Sequence, residues 1–146
     1  MEPKIINGGI ATDDRGSVRF VNDFNFDRVK RFYQVQNHRS GFIRAWHGHR
    51  KEAKYVYVAK GSALIGAAPI DMMIKKEIDL TKIYKTVLSA ANPKILFIPA
   101  GYANGFKSLE AGTIVQFFST STLEESLGDD VRFDFNLVDI WAEDFR

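Results

Sequence analysis

No stretch of this chain repeats its apolar residues with a helical period for as long as ~12 residues. Short runs of β-branched and aromatic residues take the place of helices, closed off every few positions by glycine, proline, asparagine or aspartate. That pattern predicts many short antiparallel strands, which pack as a sandwich or close into a barrel. Lys4 to Asn7 reads as a first strand, ended by Gly8 and Gly9. Asp13 to Gly16 reads as a turn, and Ser17 to Asn22 alternates polar and apolar residues as a half-buried strand does. Further strands are expected at 29–36, 42–48, 54–59, 62–69, 72–79, 83–88, 94–98, 104–108 and 113–120. Thr122 is placed to cap one short helical turn. With no repeat, linker or low-complexity segment, residues 1–146 are expected to form one all-β domain.

The totals narrow the function. A net charge of +2 with no charge block gives no footprint for nucleic acid. The chain has no cysteine, which excludes disulfides, thiolate chemistry and Cys-based zinc sites. No apolar run approaches the ~18 residues of a membrane span, and the N-terminus carries no signal region. The expectation is a soluble, cytoplasmic protein.

One stretch asks for a chemical explanation. Gly41 to Gly61 holds two of the three histidines, His47 and His49, with Arg44 before them and Glu52 and Lys54 after. Strict strand alternation would put Arg44, Trp46, Gly48 and Arg50 on one face, and the histidines with Ile43 and Ala45 on the other. Two readings follow from residue type. His47, His49 and Glu52 are the ligand types of a mononuclear metal site. Alternatively, a histidine near neutral pKa suits removal of a proton from the carbon next to a ketone, with the cation of Lys54 steadying the enolate. Arg44 and Arg15 have the forked donors that hold a diphosphate.

Motifs in order along the chain add a resemblance. Gly41-x5-His47-x-His49-x2-Glu52 resembles the first cupin motif, and Pro99 to Asn104 the second, with Asn104 where a metal-binding cupin has its last histidine. Asp14-Arg15-Gly16, Gln36-Asn37-His38-x-Ser40, Gly41-Phe42-Ile43-Arg44-Ala45-Trp46-His47, Ala53-Lys54-x-Val56-x-Val58-x-Lys60-Gly61 and Ile98 to Phe106 together resemble the dTDP-4-dehydrorhamnose 3,5-epimerase family. The match runs from about residue 13 to 141.

The resemblance implies a double-stranded β-helix, the cupin jelly roll. It implies a metal-independent isomerase without a cofactor that epimerises C3, C5 or both of a nucleotide-linked (dTDP) 4-keto-6-deoxy sugar in surface-polysaccharide synthesis, including O-antigen. It places the base at His47, the enolate partner at Lys54, and substrate contacts at Arg15, Gln36, Asn37, Arg44 and Asn104. The family forms dimers, and a homodimer with an exchanged N-terminal strand is expected.

This chain also departs from the family. The position of the family's tyrosine acid reads Phe117, and a second tyrosine falls near Leu123. The resemblance implies an aspartate partner for the base in a C-terminal segment that follows the positions matched here. The related sugar 3,4-ketoisomerases share a pattern like Lys30-Arg31-Phe32-Tyr33 followed by Arg44-x-x-His47-x-His49. There the paired histidines shuttle a proton on one side of the sugar, and Tyr33 would orient a histidine or act as acid. A non-catalytic cupin that binds a nucleotide sugar is the third reading.

Overall fold

Glycine and proline turns do cut the chain into short strands. A computed structural model describes residues 1–146. The first strands are β1 (Lys4–Asn7), β2 (Gly9–Asp13), β3 (Gly16–Phe20), β4 (Arg31–Gln36) and β5 (Ile43–His49). Then come β6 (Lys54–Lys60), β7 (Ser62–Pro69), α1 (Ile70–Lys75), a 3-10 turn at Leu80–Lys82 and β8 (Tyr84–Ser89). The last are β9 (Lys94–Ile98), β10 (Tyr102–Ser108), β11 (Ile114–Ser119), α2 (Leu123–Leu127) and β12 (Val131–Arg132).

Ten strands form two five-stranded antiparallel sheets, in the orders β1-β9-β6-β11-β4 and β12-β5-β10-β7-β8. The sheets face each other as the jelly roll expected from the sequence. The β2–β3 hairpin belongs to neither sheet and leaves most of its residues in water, Val18 65% exposed among them. No helix is long and apolar enough to cross a membrane.

Two cores flank the second sheet. The first lies between the sheets and draws on alternate residues such as Val56, Val58, Ile65, Leu96, Val115 and Phe117, the period-two burial that a strand dictates. The second covers the outer face of the second sheet. Trp46, Ile70, Met73, Val138 and Trp141 meet there, and the Trp46 and Trp141 rings lie 5.2 Å apart. Both indole N–H groups donate to the Phe135 carbonyl, and Trp46 donates to that of Val138 as well. Those bonds fold the tail from Phe133 to Trp141 back onto the sheet.

Two expectations are corrected. Residues 72–79 are not a strand. Ile70 to Lys75 form α1, with Asp71 in its first turn, Lys75 in its last and Lys76 closing it in the left-handed conformation. Ile70 and Met73 are both buried at helical spacing, which fastens the turn to the second core. Gly9, expected to end a strand, starts β2 instead.

Candidate active site

The two sheets part at one end to leave a pocket of about 230 Å³. Its lining comes from both sheets and from the segment after β11. On the first sheet, β4 places Arg31, Tyr33 and Val35 inward, β6 places Lys54, and β11 places Phe117. On the second, β5 places Arg44, His47 and His49, and β10 places Asn104 and Phe106. Ser126, Leu127, Asp130 and Arg132 close the wall.

Strict alternation fails at β5. Asn104 pairs with His47 and Phe106 with Arg44, so two steps along β10 span three along β5. This β-bulge turns Arg44 onto the face of His47 and His49. Trp46, Ile43 and Ala45 go to the second core instead, so the expected face assignment is wrong. Gly105 faces the bulge. A Cβ there would lie 2.5 Å from that of Ala45 and 2.9 Å from the Arg44 carbonyl oxygen, so the crossing has room only for glycine.

His47 is half-buried and its ring makes no hydrogen bond within the protein. Burial first, then Arg132 and Lys54, pushes its pKa below 6.5, while Asp130 opposes them. It is therefore an unprotonated, unengaged imidazole at neutral pH. Lys54 is 6% exposed, its ammonium 5.8 Å from the centre of the Tyr33 ring and 5.6 Å from that of Phe117. Burial lowers its pKa, Glu52 works against this and Arg31 adds to it.

Tyr33 stacks on Phe117 at 5.1 Å, and the Arg31 guanidinium lies 4.8 Å from its ring centre. Burial chiefly, with Glu52 second, pushes its pKa up to about 12. The phenol therefore keeps its proton at neutral pH. Tyr33 pairs with Phe117 across the β4–β11 ladder, so the hydroxyl missing at Phe117 is present on the adjacent strand.

Asn37 is 8% exposed and lies behind Arg44 without lining the pocket itself. Its amide donates to Ser108 Oγ at 3.0 Å and its oxygen accepts from Arg44 Nε at 2.6 Å. Asn37 thus aims Arg44. Asn104 sits on the floor beside His47. Gln36 is exposed on the outer side of β4 and lines no part of the pocket. Arg15 is likewise outside it, at the tip of the β2–β3 hairpin, paired with Asp13 at 2.5 Å.

His49 has both ring nitrogens engaged. Nδ1 donates to the Asp129 carbonyl at 2.5 Å, and Nε2 lies 3.1 Å from Glu52 Oε2. Burial and Lys54 push its pKa down overall, against Glu52 and Asp129. Glu52 turns into the wall toward Ser119, Ser126, Arg31 and His49. No three His, Asp or Glu side chains converge where an ion would sit.

The residues missed in the sequence come mainly from the segment 126–132. Asp129 accepts the backbone N–H groups of Arg50, Lys51 and Glu52 at 2.8, 2.8 and 3.1 Å. Burial disfavours its charge, yet those three donors hold its pKa below the usual value. Val131 and Arg132 then pair with Gly48 and His47, and Arg132 donates to Asp130 at 3.0 Å. Thr122 and Glu125 form the capping box that starts α2. The Thr-x-x-Glu spacing was the available signal for where this segment turns over the pocket.

The model of the dTDP-4-dehydrorhamnose 3,5-epimerase family matches residues 2–141. The comparison with curated protein sequences finds no match. Among solved structures, the chain is 25% identical to a dTDP-4-dehydrorhamnose 3,5-epimerase from Sulfolobus tokodaii, with a TM-score of 0.74 over 94% of this chain and 80% of that one. It is 22% identical to the Bacillus anthracis str. Ames dTDP-4-dehydrorhamnose 3,5-epimerase with TDP and PPi bound, with a TM-score of 0.75 over 95% and 84%. A sugar 3,4-ketoisomerase from Thermoanaerobacterium thermosaccharolyticum in complex with TDP is 18% identical, with a TM-score of 0.70 over 94% and 93%. The latter two show the fold.

Proposed function

The chain belongs to the dTDP-4-dehydrorhamnose 3,5-epimerase family, and we propose that it isomerises a dTDP-linked 4-keto-6-deoxy sugar, epimerising C3, C5 or both, in surface-polysaccharide synthesis. One observation carries this reading. An unengaged imidazole on one sheet, His47, and a protonated phenol on the other, Tyr33, line the same pocket.

His47 removes the proton from the carbon next to the ketone. The charge that develops on the ketone oxygen is met by the Lys54 ammonium, in a site where burial strengthens the attraction. Tyr33 returns a proton from the opposite side and takes over the acid role that Phe117 has no group to perform. Arg44, aimed by Asn37, takes the diphosphate through its fork. Bound TDP in two of the similar structures supports a nucleotide at this mouth.

The protein acts as a homodimer, and since β1 is held by β9 of its own chain, the exchange expected of the N-terminal strand passes to the hairpin that follows it. The β2–β3 hairpin, unpaired with either sheet, carries Arg15 to the partner's pocket as a second diphosphate ligand.

Phe117 favours a second reading, 3,4-ketoisomerisation. A shuttle by His47 between C3 and C4 on one face of the sugar needs no acid at that position.

Incubation in D2O with dTDP-4-keto-6-deoxyglucose, followed by NMR, separates the two. Deuterium at C3 or C5 with an inverted centre is the expected result. A 3-keto product would move the assignment to the ketoisomerase. Binding without exchange or product would sink both.

A further inference from the structure

We propose that Glu52 is a positioning residue for the proton transfers assigned above: through His49 and Ser126 it fixes the segment 126–132 beside His47, and through Arg31 it fixes the ring of Tyr33. The inference rests on that functional reading for its kinetic part and on geometry for the rest.

The Glu52 side chain is fully buried, with 0% of it exposed, and His49 keeps only 7%. The carboxyl group meets four partners from four places in the fold. Ser119 of β11 donates to Oε1. Arg31 Nη2 of β4 reaches the same oxygen at 3.3 Å. His49 of β5 and Ser126 of α2 share Oε2, at 3.1 and 3.2 Å. Removal of such a hub strands several buried polar groups at once.

Hydrogen-bond stoichiometry closes the pair. The Nδ1 proton of His49 is committed to the Asp129 carbonyl, which only accepts. Nε2 then faces a carboxyl oxygen at 3.1 Å, so both ring nitrogens are turned to partners inside the wall and neither opens to the pocket. The charged and titratable groups around the pair are Arg31 from β4, Lys54 from β6 and the neutral His47 from β5; Asp129 and Asp130 come from the segment before β12. A histidine closed at both nitrogens does not shuttle protons for the sugar. It ties the Asp129 backbone to the strand that carries His47, and Asp129 brings Asp130 and Arg132 with it.

The acid side is held by the same carboxyl. Arg31 lies between Glu52 and the Tyr33 ring, and its Nε is buried without any partner. Glu52 shares no hydrogen bond or ion pair with Arg44, which Asn37 holds, so Glu52 is assigned to the proton-transfer groups and not to the diphosphate clamp.

Glu52→Gln keeps the shape of the side chain and changes its donors. With dTDP-4-keto-6-deoxyglucose we expect kcat to fall about tenfold or more while KM stays within about threefold. An unchanged kcat, or a rise in KM alone, would overturn the proposal. A second measurement needs neither turnover nor the variant. In the wild-type protein the His49 ring signals should hold one state from about pH 6 to about pH 9, whereas a free imidazole changes charge near the start of that range. A His49 that titrates as a free imidazole shows an open pair and defeats the idea, however the variant folds. Should the wild type turn over no such sugar, the functional reading fails and the titration still decides the pair.

Discussion

The two walls of the pocket are built differently. On the Tyr33 side, β4 and β11 run in unbroken register from Gln36↔Ile114 to Arg31↔Ser119. Arg31, Tyr33 and Val35 face inward at strict intervals of two. On the His47 side the ladder slips by one residue between Asn104 and Phe106. The wall that keeps its register around the pocket, its β6–β11 ladder slipping only between Ile114 and Val115 away from Lys54, carries the proposed acid, the buried Lys54 and the aromatic surface. The wall that slips between His47 and Arg44 carries the proposed base and the proposed diphosphate clamp. Local rules give way where two functional side chains must share a face that their spacing would deny them.

The largest effect should come from the irregular wall. His47→Ala is expected to lower deuterium incorporation from D2O by roughly 10³- to 10⁴-fold, read by NMR of the sugar. Unchanged exchange would move the base elsewhere. The same wall sets the pH response. His47 titrates below its ordinary 6.5 in the folded chain, so the unfolded chain takes up the proton first as pH falls. Its contribution to stability is complete above about pH 6.5 and declines between that value and the lower folded one. The rate should fall through the folded value, because the base must be free of its proton.

The regular wall should give a smaller and qualitatively different loss. Tyr33→Phe is expected to cut inversion by about 10²-fold. Solvent exchange should persist, since His47 still removes the proton and gives it back on the same face. Phe117→Tyr in that background puts a phenol on the neighbouring strand and should recover part of the inversion. If Tyr33→Phe stops exchange and inversion equally, the walls do not divide the labour as assigned.

Arg15→Ala tests whether the hairpin completes the site. Loss of one charge-assisted contact from the partner's hairpin should raise KM by about tenfold and leave kcat nearly unchanged. A KM that does not move would remove Arg15 from the substrate.

These contrasts also mark what the sequence could carry. The strands Lys4 to Asn7 and Lys94 to Ile98, the turn at Asp13 to Gly16 and the cap at Thr122 were legible, because short alternating runs and turn residues act over a few positions. His47, Lys54, Tyr33, Arg44 and Asn104 were legible as candidates, and all five line one pocket. The run Ile70-Asp71-Met72-Met73-Ile74-Lys75 was not, since six residues fit a strand or a helix and the second core decides between them. The bulge was not, because the extra residue in β5 shows only against β10, far along the chain. That Asn37, expected to contact substrate, accepts from Arg44 Nε was not legible, because the contact depends on how a neighbour seven residues away is turned. Asp129 and Glu52 needed the whole fold, as they join strands to a segment more than seventy residues on.

The grip of Asp129 has a consequence for motion. Arg50 and Lys51 are exposed, and amides of such a turn ordinarily exchange with solvent freely. Here their N–H groups and that of Glu52 close on a single carboxylate. They should exchange together, at the rate at which the chain after α2 peels away, and more slowly than their surface position suggests. Their collective deuteration in hydrogen-exchange mass spectrometry would time the opening of the pocket mouth, and bound nucleotide should slow it.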